Sequence, residues 1–456
     1  MNWLDSIIEK LPEVTPPTEK KRSFTQKLRW TGIILGLYFI LALVPLQGLG
    51  ENALANFQFL STILGASFGS LVSLGIGPIV TASIVLQLLN GSGIINFDTT
   101  TSTGKKRFQG TQKILAVFFT FIEAIIFVIL GGFIPAPGIP AWVLVLQLFI
   151  GGIFIILMDE MSNKYGFGSG VSLFIAAGVS QEIFVQLFSF QTSDGGVYIG
   201  AVLALIQGIT QASAENVQLI ATTSAKLIAT IVIFFIVVYA QAMKVEIPLS
   251  FGRVKGHGVR WPLNFLYSNV IPIILVAALL ANIQLMARFL ESTRFNFLGT
   301  FDGQVPVSGL AYWINPPQLL ENIVLGVTQA DMFGQALSYI AIFVIGSTIF
   351  SVFWVQTSGL DARAQAKQMV ASGLQVPGFR RDTRVLEKLL QRYIWPLSIL
   401  GGIAIGLLAS VADLTGAIGT GTGLLLTVMI VYKLYEDIAK QHMYDMNPML
   451  RKFMQR

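Results

Sequence analysis

The chain has 456 residues, 54% of them apolar and 12% charged, with 44 glycines, no cysteine and a formal net charge of +6. A charged share about half the usual ~25%, with a mean hydropathy of +0.69, excludes a string of water-exposed domains and makes lipid the solvent of most of the chain. The missing cysteines exclude disulfide frameworks, thiolate nucleophiles and Cys-ligated metal centres, and two distant histidines, His257 and His442, argue against a histidine metal site.

In chain order, residues 1–29 carry acids and three prolines ahead of any apolar run, unlike a cleavable signal peptide. A helix needs about 20 mostly apolar residues to cross the hydrocarbon core. Such runs follow at 30–50, 52–97, 114–158, 165–193, 227–243, 261–287, 332–360, 393–412 and 414–432. The third holds only Glu123 and breaks at Pro135-Ala-Pro-Gly-Ile-Pro140 into two, so ten spans are expected. All 30 lysines and arginines except Lys226, Arg288 and Arg294 fall in the N-terminal segment, the even-numbered loops or the tail. By the positive-inside rule these parts, both termini included, are cytoplasmic in a cell membrane. The expected organisation is a segment 1–29, a first half 30–193, an external connection 194–225, a second half 226–434 and a cytoplasmic tail 435–456.

Five spans per half force the halves into opposite orientations. The last span of each opens on a similar pattern, Gly166-Phe-Gly168-Ser-Gly170 in one and Gly419-Thr-Gly421-Thr-Gly423 in the other. Run 52–97 is too long for one crossing and is punctured by Gly65, Gly69, Gly75, Gly77 and Pro78. It reads either as a kinked helix or as one split near 74–78 into a regular half, 79–89, and a short half, 57–68, folded back from outside. Two long loops, 244–269 with Lys244, Arg253, Lys255 and Arg260, and 359–392 with Arg363, Lys367, Arg380, Arg381, Arg384, Lys388 and Arg392, are strongly basic. They serve either as topology determinants attracted to anionic lipid or as a docking surface for a polyanion such as ribosomal RNA.

Gly65-Ala-Ser67-Phe-Gly69 matches a nucleophile elbow, but both histidines are expected across the membrane from that serine, so no hydrolase follows. The glycine-rich entries lack the Lys-Ser/Thr of a phosphate loop. Of the ionisable residues, Glu123 alone lies clearly within a span, paired structurally or put to work, whereas the helices flanking the break carry neutral Thr81, Ser83, Gln87, Asn282 and Gln284. Neutral polar groups suit a path that holds no solute tightly. An ion-driven transporter is weakened by the missing acid–cation site, and no catalytic residue, metal site or cofactor is expected.

Leu74-Gly-Ile-Gly-Pro-Ile-Val-Thr-Ala-Ser83 and the run from Lys164 to Gln181 closely resemble the SecY family, the pore subunit of the Sec protein translocon, in its archaeal type. So do Leu11-Pro-Glu-Val14, Val245-Glu-Ile-Pro248, Ala281-Asn-Ile-Gln284, Phe353-Trp-Val-Gln-Thr-Ser-Gly-Leu-Asp361 and Gly378-Phe-Arg380. The resemblance implies an all-α polytopic membrane protein with ten transmembrane helices in two inverted five-helix halves around a central hourglass pore. It further implies a passive protein-conducting channel that translocates secretory polypeptides and releases transmembrane segments to lipid through a lateral gate. Carried over motif by motif, the pore ring falls on Ile76, Val80, Val171, Ile175, Ile274 and Leu426, with Val171 and Leu426 departing from the family's isoleucines. The plug, about 57–67, includes Phe57, Leu60, Ile63, Leu64, Gly65 and Ser67, and the polar gate residues are Thr81, Gln87 and Asn282. Arg253, Lys255, Arg380 and Arg381 are implied as a docking site for the ribosome or another driving partner. Further implied partners are SecE-type and beta-type small membrane subunits, signal sequences, nascent polypeptides and membrane lipid.

Overall fold

The computed structural model describes residues 12–15, 17, 23–52, 61, 64–91, 93–95, 97, 101–192, 196–210, 214–251, 258–268, 270–291, 296–303, 305–371, 374–375 and 382–446. Among these, ten long helices follow in order: α1 Phe24–Leu43, α2 Gly77–Gly91, α3 Ser102–Ile129, α4 Ala141–Tyr165, α5 Gly170–Phe188, α6 Ala214–Ala242, α7 Ile271–Leu290, α8 Ala330–Thr357, α9 Thr383–Leu414 and α10 Gly421–Met446. Seven of the described helices are long and apolar enough to cross a membrane. Of the rest, α2 is short, and α1 and α10 carry charges at one end. The protein is an all-α polytopic membrane protein.

Among the helices that start from the face carrying the basic loops, three have an N-cap side chain bonded to the first turn. Ser23 accepts from the Gln26 amide, Thr101 from Gly104 and Asp382 from Arg384, which satisfies donors the first helical turn leaves unpaired. The N-terminal segment is strapped to this face. Lys113 Nζ donates to the Pro12 carbonyl (2.6 Å) and pairs with Glu160 (2.7 Å), while Lys164 bridges Glu160 and Glu13 (2.8 and 2.6 Å).

Several helices outrun their apolar stretches. The sixth, expected at 227–243, begins at Ala214, inside the stretch 194–225 expected to be a connection, which also holds the helix Ala201–Thr210. Within its early polar turns Thr222 and Ser224 satisfy their hydroxyls on the helix's own carbonyls, at Gln218 and Ile220. Lys226 there pairs with Glu321 at 2.9 Å. The ninth, expected from 393, begins at Thr383, and its basic first turns project into the loop region. The seventh begins at Ile271 rather than 261, because residues 258–264 form a strand instead.

Extended structure joins loops at both ends of the bundle. On the far face, β1 (Leu49–Asn52) pairs antiparallel with β2 (Phe133–Pro135). On the basic face, β3 (Lys244–Phe251) and β4 (Gly258–Asn264) form a hairpin in register Lys244↔Asn264 to Ser250↔Gly258. The short strand Leu374–Gln375 adds to β3 through Ser250↔Gln375 and Phe251↔Leu374, so the two long basic loops share one sheet. Tyr267 bolts them again by donating to the Leu360 carbonyl at 2.7 Å. Burial, reinforced by Asp361, pushes the ionisation of this phenol above its ordinary range.

Helices α8 and α9 make the closest pairing. A Cβ on Gly402 would stand 2.8 Å from the Thr348 backbone, and one on Gly406 would strike Ser347 and Val344. Small residues let backbones meet where no hydrophobic drive separates helix from lipid, and the gap is used: Ser347 donates to the Gly402 carbonyl (2.7 Å) and Ser351 to Ser398 (2.6 Å). Gly402→Leu is therefore expected to destabilise the fold by about 1–3 kcal/mol, as overpacking does. A detergent-solubilised melting midpoint equal to that of the parent chain would contradict this pairing.

Candidate functional site

The six side chains implied as a ring meet in one apolar cluster. Ile76 stands one residue ahead of α2 and Val80 in its first turn; Val171 and Ile175 come from α5, Ile274 from α7 and Leu426 from α10. Five are at most 3% exposed, and Val171 is half-buried against them. A cavity of ≈ 1510 Å³ opens from the basic face, with Lys106, Arg107, Lys244 and Lys440 towards its mouth and Val80, Val171 and Ile274 in its wall.

Residues 64–76 are turns rather than helix, so the long second run is split and not merely kinked. The regular half runs Gly77–Gly91, two residues beyond each end of the expected 79–89. The irregular stretch packs directly on the ring. The Ile76 amide donates to the Leu64 carbonyl at 2.8 Å, and Gly65 lies against the backbone of Phe174 and Ile175. Gly65 has φ +51, and Gly75, at φ +53, faces Leu64 so closely that a Cβ would strike its carbonyl oxygen. Only glycine meets both conditions. Tyr38 of α1, stacked on Phe174 at 4.9 Å, donates its hydroxyl to the Gly65 carbonyl at 3.0 Å. Ser67 reaches the Ala42 carbonyl. Of the implied plug residues, Leu64, Gly65 and Ser67 thus adjoin the ring or its support, whereas Phe57, Leu60 and Ile63 lie outside the described residues.

Two of the three implied gate residues meet. Asn282 Nδ2 on α7 donates to Thr81 Oγ1 on α2 at 3.2 Å, and that hydroxyl donates onward to Glu123 Oε1 on α3 at 3.0 Å. The seam between α2 and α7 is thereby closed by a three-residue chain whose acid is the lone intramembrane carboxylate noted in the sequence. Gln87 does not join it; it is buried beside the cavity with Oε1 unpartnered in the protein. Nearer the basic face, α2 reaches α8 where a Cβ on Gly91 would stand 2.8 Å from the Phe353 ring. On the opposite side of the pore α5 packs along α10. There the Gly419 amide donates to Gln186 (2.9 Å) and the Ile418 amide to Thr230 (3.0 Å).

The glycine repeat is real but shifted by two residues from its apparent register. The equivalent helix starts are Gly170 and Gly421, each pressed against an aspartate of the preceding helix, Asp159 in the last two turns of α4 and Asp413 at the end of α9. Asp159 accepts from the Val171 amide (2.9 Å) and Ser169; Asp413 accepts from the Thr422 amide (2.6 Å) and the Thr422 hydroxyl. Ile175 and Leu426 then each stand four residues beyond the capped amide. Neither aspartate was among the expected site residues. The available signal was an acid at the junction of two apolar runs just ahead of a glycine-rich turn. Tyr38 carried no such signal.

Arg253, Lys255, Arg380 and Arg381 lie outside the described residues. The strands flanking them are the ones that join the two basic loops.

Removing the Tyr38 hydroxyl frees one carbonyl of the irregular stretch, a loss of about 1 kcal/mol. Tyr38→Phe is expected to speed amide hydrogen exchange across 64–67 roughly fivefold, and unchanged exchange would mean that Tyr38 does not hold this segment.

The SecY family model matches residues 70–435. A protein translocase subunit SecY of Methanothermobacter thermautotrophicus is 44% identical over 456 residues, 99% of this chain and 98% of that protein. A solved protein-conducting channel superposes with a TM-score of 0.84 at 39% identity, over 98% of this chain and 99% of that one. Sec61 from a canine ribosome–channel complex gives 0.81 at 38% identity, over 98% and 99%. The stretch matched by the family model takes in α2, the capped starts of α5 and α10 and the six positions implied as the ring, and the chain belongs to the SecY family.

Proposed function

We propose that this chain is the pore subunit of a protein translocase, a channel that passes secretory polypeptides across the membrane and releases apolar segments sideways into lipid. The observation that carries this reading is the cavity on the basic face, lined in part by Val80, Val171 and Ile274 of the apolar cluster, with the Leu64–Gly65 turn packed against Ile76, Phe174 and Ile175 of the same cluster. The distribution of lysine and arginine makes that face cytoplasmic, with both termini on it.

Each part has a physical role. Ile76, Val80, Val171, Ile175, Ile274 and Leu426 form a gasket with no group to bind an ion, and such constrictions also gate by dewetting. Leu64, Gly65 and Ser67, with Phe57, Leu60 and Ile63 ahead of them, act as the plug. Thr81, Asn282 and Glu123 latch the seam through two intramembrane hydrogen bonds, each worth roughly 0.6–2 kcal/mol. A signal sequence of about 20 apolar residues prefers lipid to a wet pore, and that preference can offset so small a latch. The halves 30–193 and 226–434 part at this seam and stay joined where α5 packs on α10. The channel supplies no chemistry of its own; work comes from a docked partner.

A canine relative 38% identical to this chain is solved in a ribosome–channel complex. Strands of the two loops that carry Arg253, Lys255, Arg380 and Arg381 share one sheet, which supports reading both loops as one docking surface for ribosomal RNA phosphates. Small SecE-type and beta-type subunits complete the assembly.

In liposomes, replacing Ile76 and Ile274 by glycine is expected to raise the resting ion leak several-fold, and a leak equal to that of the parent channel removes the ring assignment. Reversing charge at Arg253 and Arg380 is expected to weaken ribosome binding and flatten its salt dependence with membrane insertion unaffected. Binding that persists unchanged would return these loops to a lipid-facing role.

A further inference from the structure

The two aspartate caps are alike at the ring and unlike beyond it. Asp159 engages the start of its own ring helix through Val171 and Ser169. Asp413 does the same at Thr422, and its Oδ2 also accepts the Tyr339 hydroxyl at 2.7 Å. Tyr339 belongs to α8, is fully buried, and lies with Leu426 in the apolar cluster around the ring. The same α8 borders the lateral seam, where Phe353 meets Gly91 of α2. One carboxylate therefore ties a seam helix to the first turn of α10, and Leu426 projects one turn further on.

We propose that Tyr339 and Asp413 are positioning residues that couple opening of the lateral seam to widening of the ring. When α8 moves away from α2, the Tyr339–Asp413–Thr422 link carries the start of α10 with it, so Leu426 withdraws from the pore axis in the same motion. A buried hydrogen bond to a carboxylate is among the stronger side-chain links, and the glycine at position 421, pressed on Ala412 and Asp413, leaves little slack between α9 and α10. The first half has no equivalent third-helix arm on Asp159 among the described residues, which makes the second half the one that transmits the motion. The inference rests on the channel reading above.

The test uses the complete translocase complex in liposomes. A synthetic signal peptide bearing a photo-crosslinker reports occupancy of the seam, and ion conductance reports the ring. Tyr339→Phe keeps the ring and its packing but removes the donor; Asp413→Asn keeps the Thr422 cap but offers Tyr339 no carboxylate. Ser347→Ala serves as control, because it removes another buried α8–α9 hydrogen bond that does not reach α10. Tyr339→Phe is expected to leave peptide crosslinking intact and to cut conductance per crosslinked peptide threefold or more, with Asp413→Asn adding nothing to it in the double variant. A loss below threefold, or an equal loss in Ser347→Ala, overturns the coupling. Should Asp413→Asn fail to assemble, Tyr339→Phe against Ser347→Ala decides alone. If the parent complex shows no peptide-triggered conductance, it is the channel reading that fails.

Discussion

Backbone that is not helical can exist at membrane depth only if its polar groups find partners inside the protein, since lipid offers none and an unsatisfied group costs several kcal/mol. Residues 64–76 meet that condition with serines and neighbouring chain. Leu46 and Leu71 exchange backbone bonds with Gly69 and Val44, and the Ser73 hydroxyl accepts from Gly69 while donating within the same turn. The Ile76 amide, left free because α2 starts only at Gly77, is taken by Leu64. The ring can include a residue outside any helix because this turn satisfies itself. The same bond holds Leu64 against Ile76.

Strength is distributed unevenly around the pore. Behind it, α5 and α10 pack along their length and are tied at one end where the Gly419 amide donates to Gln186, while Thr230 of α6 holds the neighbouring Ile418 amide. In front, the seam between α2 and α7 is latched by a single hydroxyl that receives from Asn282 and gives to Glu123. Two hydrogen bonds of this kind amount to roughly 1–4 kcal/mol, far less than separating packed helices would cost.

Hydropathy made most of this architecture legible because the spans answer to lipid. The punctures in run 52–97 left a kinked or a split helix open, and the six positions implied by the family motifs fall in one cluster. What hydropathy could not show is helix that continues past lipid: the early turns of α6 and α9 are polar, with Thr222 satisfied on its own helix and Asp382 capping α9. Glu123 was visible as a lone acid, but its partner lies 42 residues away and the next link 201 residues beyond that, distances no local pattern spans. The glycine repeat was misaligned by two because equal spacing conceals which glycine presses on the aspartate. Gln87 was expected at the seam by type and position, and its burial beside the cavity follows from its height on α2.

The hairpin of β3 and β4 is spliced directly between α6 and α7, with only a few residues separating β4 from the first turn of the helix that carries Asn282. Any displacement of this hairpin is therefore passed to α7 through a short link, and Tyr267 within that link is itself fastened to Leu360 of the second basic loop.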